Sequence, residues 1–145
     1  FAAKSDVFWG ALDTAAALLR DQLAARPDAE PAFTALERAL VETAAQYGPS
    51  RVPWILTQHE QLGSSSELYT ASLPRVGAIA QIFHSFLADR TTESSEHLRT
   101  LSYALVGTII GAAREWADAG QNRGDLSPYV ERSVRPLLHA FSSAS

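Results

Sequence analysis

The chain has 145 residues, 46% hydrophobic and 19% charged, a composition that suits one globular domain, residues 1–145, with a sizeable core. Its net charge is −4, from 16 acidic and 12 basic residues. The basic residues are scattered singly apart from Arg132 and Arg135, which excludes the clustered cationic face that grips nucleic-acid phosphates. Cys is absent, which rules out disulfides, thiolate metal sites and Cys nucleophiles and fits a reducing, cytoplasmic setting. No apolar run reaches the ~20 residues of a membrane span, and no signal segment opens the chain.

Helical periodicity runs through the sequence, while period-two alternation and Asn-Gly or Asp-Gly turns are missing. The first helix is expected from a Ser5 cap, with Asp6 in its first turn and Phe8, Leu12, Ala15, Leu19 and Leu23 on one face. It ends at Arg26-Pro27, where the residue before proline leaves the helical region. A second helix starts near Pro31, carries Phe33, Leu36, Leu40, Ala44 and Tyr47, and stops at Gly48-Pro49. A short third helix covers about Ser50 to Leu62, with Pro53 in its first turn and Gly63 as its cap.

The fourth helix runs from about Glu67 to Arg90, with an inward stripe of Val76, Ile79, Phe83 and Phe86. Its internal Pro74 removes a hydrogen bond and predicts a kink or break. After the Thr91–Ser94 connection a long helix spans about Ser95 to Ala119, with Leu98, Leu101, Leu105, Thr108, Ala112 and Trp116 on one face. Gly120 to Gly124 forms a turn. The last helix begins at Ser127-Pro128 and carries Val130, Val134, Leu137 and Phe141, bent at Pro136. The predicted fold is all-α, about six helices with short loops.

The opening F-A-A-K-S-D-V-F-W-G-A-L resembles the junction, in TetR-family regulators, between the end of the recognition helix and the start of the fourth helix. Phe1, Lys4, Asp6, Val7, Phe8 and Leu12 fill its aromatic, basic, acidic and apolar places. The order of short, interrupted and long helices, ending in Trp116, a polar turn and an amphipathic helix, is similar to that family's regulatory domain. The resemblance implies a ligand-responsive repressor whose helix-turn-helix domain precedes Phe1, and it assigns Lys4 to a DNA phosphate in the intact protein. The absence of Met and the start at Phe1 lead to the same expectation of an upstream segment.

Enzyme signatures fail one by one. His59-Glu60 begins a zinc-protease H-E-x-x-H, but Gly63 stands where the second His belongs. Glu93 and His97 are four apart rather than the three of a di-iron motif, and no partner motif exists. There is no nucleophile elbow and no phosphate-binding glycine loop. Neither catalysis nor a metal or other cofactor is expected.

Two sets of residues carry more. Trp54, Tyr69, Phe83 and Phe86, with Gln58, His59, Leu105 and Thr108, are expected around an apolar pocket with a few polar groups, because helices interrupted at Pro53 and Pro74 cannot pack as rods. The alternative for the same residues is ordinary core. On the long helix Ala104, Gly107 and Gly111 form a small-residue seam flanked by Tyr103, Ile110 and Arg114. Glycines inside a helix cost ~1 kcal/mol each relative to alanine, so two of them ask for a close neighbour. That neighbour is either a helix of the same chain or a second subunit. The resemblance favours the second: the long and last helices, through Tyr103, Gly107, Ile110, Gly111, Arg114, Val130, Val134, Leu137 and Phe141, pair with their copies in a two-fold four-helix bundle.

The expected function is therefore a homodimeric domain binding a small hydrophobic or amphipathic effector, with operator DNA reached only through the upstream domain. The alternative is a dimeric helical interaction domain with a solid core. With its acidic balance, the 145-residue chain alone is predicted to show no measurable operator affinity at physiological salt. A fluorescence-anisotropy titration checks this, and specific binding by the chain alone would contradict it.

Overall fold

The computed structural model describes the backbone of residues 2–51 and 65–143, and the side chains of residues 9–51 and 72–142. Among the described residues every regular element is helical: α1 (Ala2–Ala24), α2 (Ala32–Ala44), α3 (Ser65–Arg90), α4 (Ser95–Asp118), a 3₁₀ turn (Gly120–Asn122) and α5 (Ser127–Ser143). The short helix expected near Ser50 to Leu62 lies outside them.

Helix ends follow local chemistry. The Ser94 hydroxyl accepts the His97 amide at 3.1 Å and caps α4. Pro31, with φ −56°, immediately precedes α2. Gly120 has φ 61°, the left-handed conformation that releases the chain from α4. Two expectations need correction. Ser5 does not cap α1, which already includes Ala2, Ala3 and Lys4, residues of good helix propensity. Pro74 does not break α3, which is helical on both sides of it. One missing amide costs a single hydrogen bond, and burial of Ala80, Phe83 and Leu87 further along holds the helix in place.

Neighbouring helices touch in the order α1–α2–α5–α4–α3, and α3 returns to α1 through a sparser seam. The core lies inside this ring. Leu36 and Leu40 of α2 meet Phe83 and Leu87 of α3, Leu98, Leu101 and Leu105 of α4, and Val130, Val134 and Leu138 of α5 in one cluster. The only buried polar side chain among the described residues, Ser102, donates its hydroxyl back to the Leu98 carbonyl at 2.6 Å and so leaves nothing unsatisfied.

Trp116 anchors the far end. Its indole is fully buried and donates Nε1–H to the Gly124 carbonyl at 2.8 Å. Arg123 donates to the Trp116 and Ala117 carbonyls, satisfying the open end of α4. The Leu126 amide donates to the Tyr47 carbonyl at 3.0 Å, which ties the start of α5 to the end of α2.

Phe83 is completely buried and sits in this cluster rather than beside a void. Phe83→Ala is predicted to cost ~3–5 kcal/mol of folding stability. Urea denaturation at fixed chain concentration measures it, and a loss well under ~1 kcal/mol would mean that the ring borders empty space.

Candidate functional site

Two features of the surface stand apart from the core: a groove where the ring of helices closes least tightly, and an uncovered face of α4.

The groove follows from how α1 and α3 meet. They run parallel, and an arginine of α3 pins each end of their contact. At one end the Arg75 guanidinium lies 4.4 Å above the Trp9 ring and 3.7 Å from Asp13. At the other, Arg90 donates to the Pro27 carbonyl at 3.0 Å and the Arg26 carbonyl at 3.2 Å, with its guanidinium 4.4 Å above the Phe86 ring. Asp13 and Arg26 are separated by about 20 Å of helix at 1.5 Å per residue. Exposed ion pairs contribute only ~0–1 kcal/mol, so the Asp13 pair adds little. Burial of Trp9 and the Arg75–Trp9 cation–π contact do more.

Beyond the Arg90 pin, Arg26 and Arg38 both hold the Glu30 carboxylate at 2.7 Å. The hydrogen bond from Arg26 and the two positive charges keep this carboxyl below the usual carboxylate range against the opposing effect of burial. The loop joining α1 to α2 is thereby fixed.

Between the pins the seam opens into a shallow, solvent-open groove of about 490 Å³. Arg20 and Leu23 line it from α1, and Ala78, Gln81, Ile82, Ser85 and Phe86 from α3. It opens here because the short side chains of Ala78 and Ser85 do not fill the space that Ile82 and Phe86 flank.

The expected pocket residues whose side chains are described are not brought together. Phe83 and Leu105 are fully buried core. The Thr108 hydroxyl donates to the Ala104 carbonyl of its own helix at 2.8 Å, so it is committed. Phe86 alone of the set lines the groove. Tyr69 lies on α3, and its side chain is not among those described; Trp54, Gln58 and His59 fall outside the described residues. Arg20, Leu23, Gln81 and Ile82 were missed. Their signal in the sequence is slight: Arg20 is the one arginine of α1, followed directly by Asp21.

The uncovered face is sharper. At 100° per residue, Leu98, Leu101, Ser102, Leu105, Ala112 and Trp116 occupy one side of α4 and are buried. Tyr103, Gly107, Ile110, Gly111 and Arg114 share the opposite side and are exposed, Tyr103 at 51% and Ile110 at 53%. A methyl group added at Gly107 or Gly111 would meet nothing within 4 Å. Among the described residues, no helix of the same chain therefore requires these glycines. On α5 the expected stripe divides. Val130 and Val134 are buried against the chain's own core and have no surface to offer a partner, because α2 and α4 already cover them. Leu137 and Phe141 are half-buried at its edge.

Lys4 lies on α1, and its side chain is not among those described. Glu93 and His97 come within 4.0 Å, with the imidazole 4.9 Å from the Phe141 ring, a contact between the start of α4 and the end of α5. No described helix is long and apolar enough to cross a membrane.

A family model described as the MftR C-terminal domain, one of the TetR C-terminal domains, matches residues 30–142, well over half of the chain. No curated protein and no solved structure matches at a significant level.

Proposed function

Because the chain belongs to the MftR C-terminal-domain family of TetR-type regulators, we propose that it is the effector-binding, dimer-forming half of a ligand-responsive transcriptional repressor. The observation that carries dimerisation is the seam on α4. Two glycines inside one helix each cost ~1 kcal/mol relative to alanine, and among the described residues nothing lies within 4 Å of a methyl group placed at either. A second copy of α4, laid across Gly107 and Gly111, gives them a reason. It also covers Tyr103 and Ile110, which a single chain leaves in water. Isologous contact about a two-fold axis buries the same patch on both partners, with Leu137 and Phe141 of α5 at its margin.

The effector reading rests on the groove between α1 and α3. An apolar or amphipathic molecule in this seam contacts the two helices between their arginine pins. Binding that differs between two arrangements of α1 shifts the balance between them, and operator affinity and effector affinity then oppose each other reciprocally. α1 is the lever because its N-terminal end is where the upstream operator-reading domain joins. One observation favours the other reading, a helical interaction domain without ligand: Phe83 and Leu105 are solid core. That core lies inside the ring of helices and leaves the groove on its outer seam open.

The chain is predicted to sediment as a dimer at micromolar concentration through an interface of more than ~1,000 Å². Gly111→Leu should give monomer while keeping the helical circular-dichroism spectrum, since a Cβ at this exposed position meets nothing within 4 Å among the described residues. A monomeric parent, or an undisturbed Gly111→Leu dimer, would remove α4 from the interface.

A further inference from the structure

The groove between α1 and α3 is apolar along Leu23, Ala78, Ile82 and Phe86. Its neutral polar groups pair with each other in part: Gln81 donates one Nε2–H to the Ser85 hydroxyl at 3.0 Å. The other arginines along this seam are committed as well. Arg75 faces Asp13 and Trp9, Arg90 holds the Arg26 and Pro27 carbonyls, and Arg26 holds Glu30. Arg20 differs. It lines the groove, and among the described residues no carboxylate lies within ion-pair distance of it and no acceptor takes its N–H groups.

A guanidinium beside an apolar wall discriminates between occupants. A carboxylate matches its planar fork with two parallel hydrogen bonds. A neutral amphiphile lying over the same wall strips water from the cation and returns less, since a charge taken out of water is costly unless paired. The chain's overall charge of −4 gives no general attraction for anions, so an anion is held here by local geometry or not at all. Resting on the effector reading above, we propose that the groove takes a single-chain amphiphile with an anionic head, a fatty carboxylate, its head on Arg20 and its chain along Leu23, Ile82 and Phe86.

The test uses decanoate and decanol, which share a chain and differ in the head, titrated calorimetrically into the 145-residue chain at constant ionic strength. Decanoate should bind at least about tenfold more tightly, the scale of one charge-assisted hydrogen-bonded pair. Arg20→Gln should abolish that advantage by weakening decanoate and not decanol, and leave the ligand-free melting temperature unchanged, because Arg20 is exposed and, among the described residues, has no ion-pair partner in the free chain. Arg20→Glu should reverse the preference towards decyltrimethylammonium. Ala78→Phe, which fills the groove, should abolish binding of every probe. Equal affinity of decanoate and decanol, with both lost in Ala78→Phe, would overturn the anionic head and leave the groove standing. A decanoate advantage that survives Arg20→Gln would also overturn it, by placing the head elsewhere. Failure of every probe to bind, or binding that survives Ala78→Phe, would overturn the groove reading together with the proposal.

Discussion

A helix has a circumference, and a chain this small cannot cover all of α4. This constraint organises the molecule. α4 passes between α3 and α5 and gives them Leu98, Leu101, Leu105, Ala112 and Trp116, every one buried. Among the described residues the opposite side is left largely uncovered, only the Tyr103 hydroxyl reaching back towards Gly77 of α3, and there the sequence places two glycines, a tyrosine, an isoleucine and an arginine. Glycine lowers helix stability and offers no side chain to solvent, so its use on an outward face makes sense where backbones approach closely. The core and the uncovered face are two consequences of a single element.

The second constraint is closure. The five described helices, touching in turn around a core, leave a last contact to be made, between α1 and α3, and it is made by arginines at its ends rather than by continuous apolar packing. Interlocked apolar side chains transmit strain with little slack. A seam held by two guanidinium pins and open between them is easier to widen. That makes α1 the element best placed to move relative to the rest, since the ends of α2, α4 and α5 are joined by Trp116, Arg123 and the Leu126–Tyr47 hydrogen bond.

The helices were legible because each long helix declares its buried stripe at a period of 3.6; Leu98 through Trp116 is the clearest case. The glycine seam was legible because an interior glycine carries a penalty visible without coordinates. The groove was not. It depends on the register that sets Asp13 beside Arg75 and Arg26 beside Arg90, pairs of residues more than 60 positions apart. No local pattern records such an offset. Phe83 and Phe86 are equally aromatic and three residues apart, yet one points into a cluster fed by all five described helices and the other onto the outer seam. Val130 and Val134 were misplaced for a related reason: an amphipathic stripe shows that a face is buried, not whether the covering surface comes from the same chain.

The central claim is that a second copy of the chain covers the α4 face. The sequence has no cysteine, so single cysteines report proximity without background. Gly111→Cys places a thiol on the seam, and Asp89→Cys places one on an exposed position of α3. Disulfides form only between Cα atoms about 4.4–6.8 Å apart. Under mild oxidation the seam variant should convert to a covalent dimer that retains the helical spectrum, while the α3 variant stays uncrosslinked. Equal, slow crosslinking of both variants would show that the α4 faces do not meet in solution.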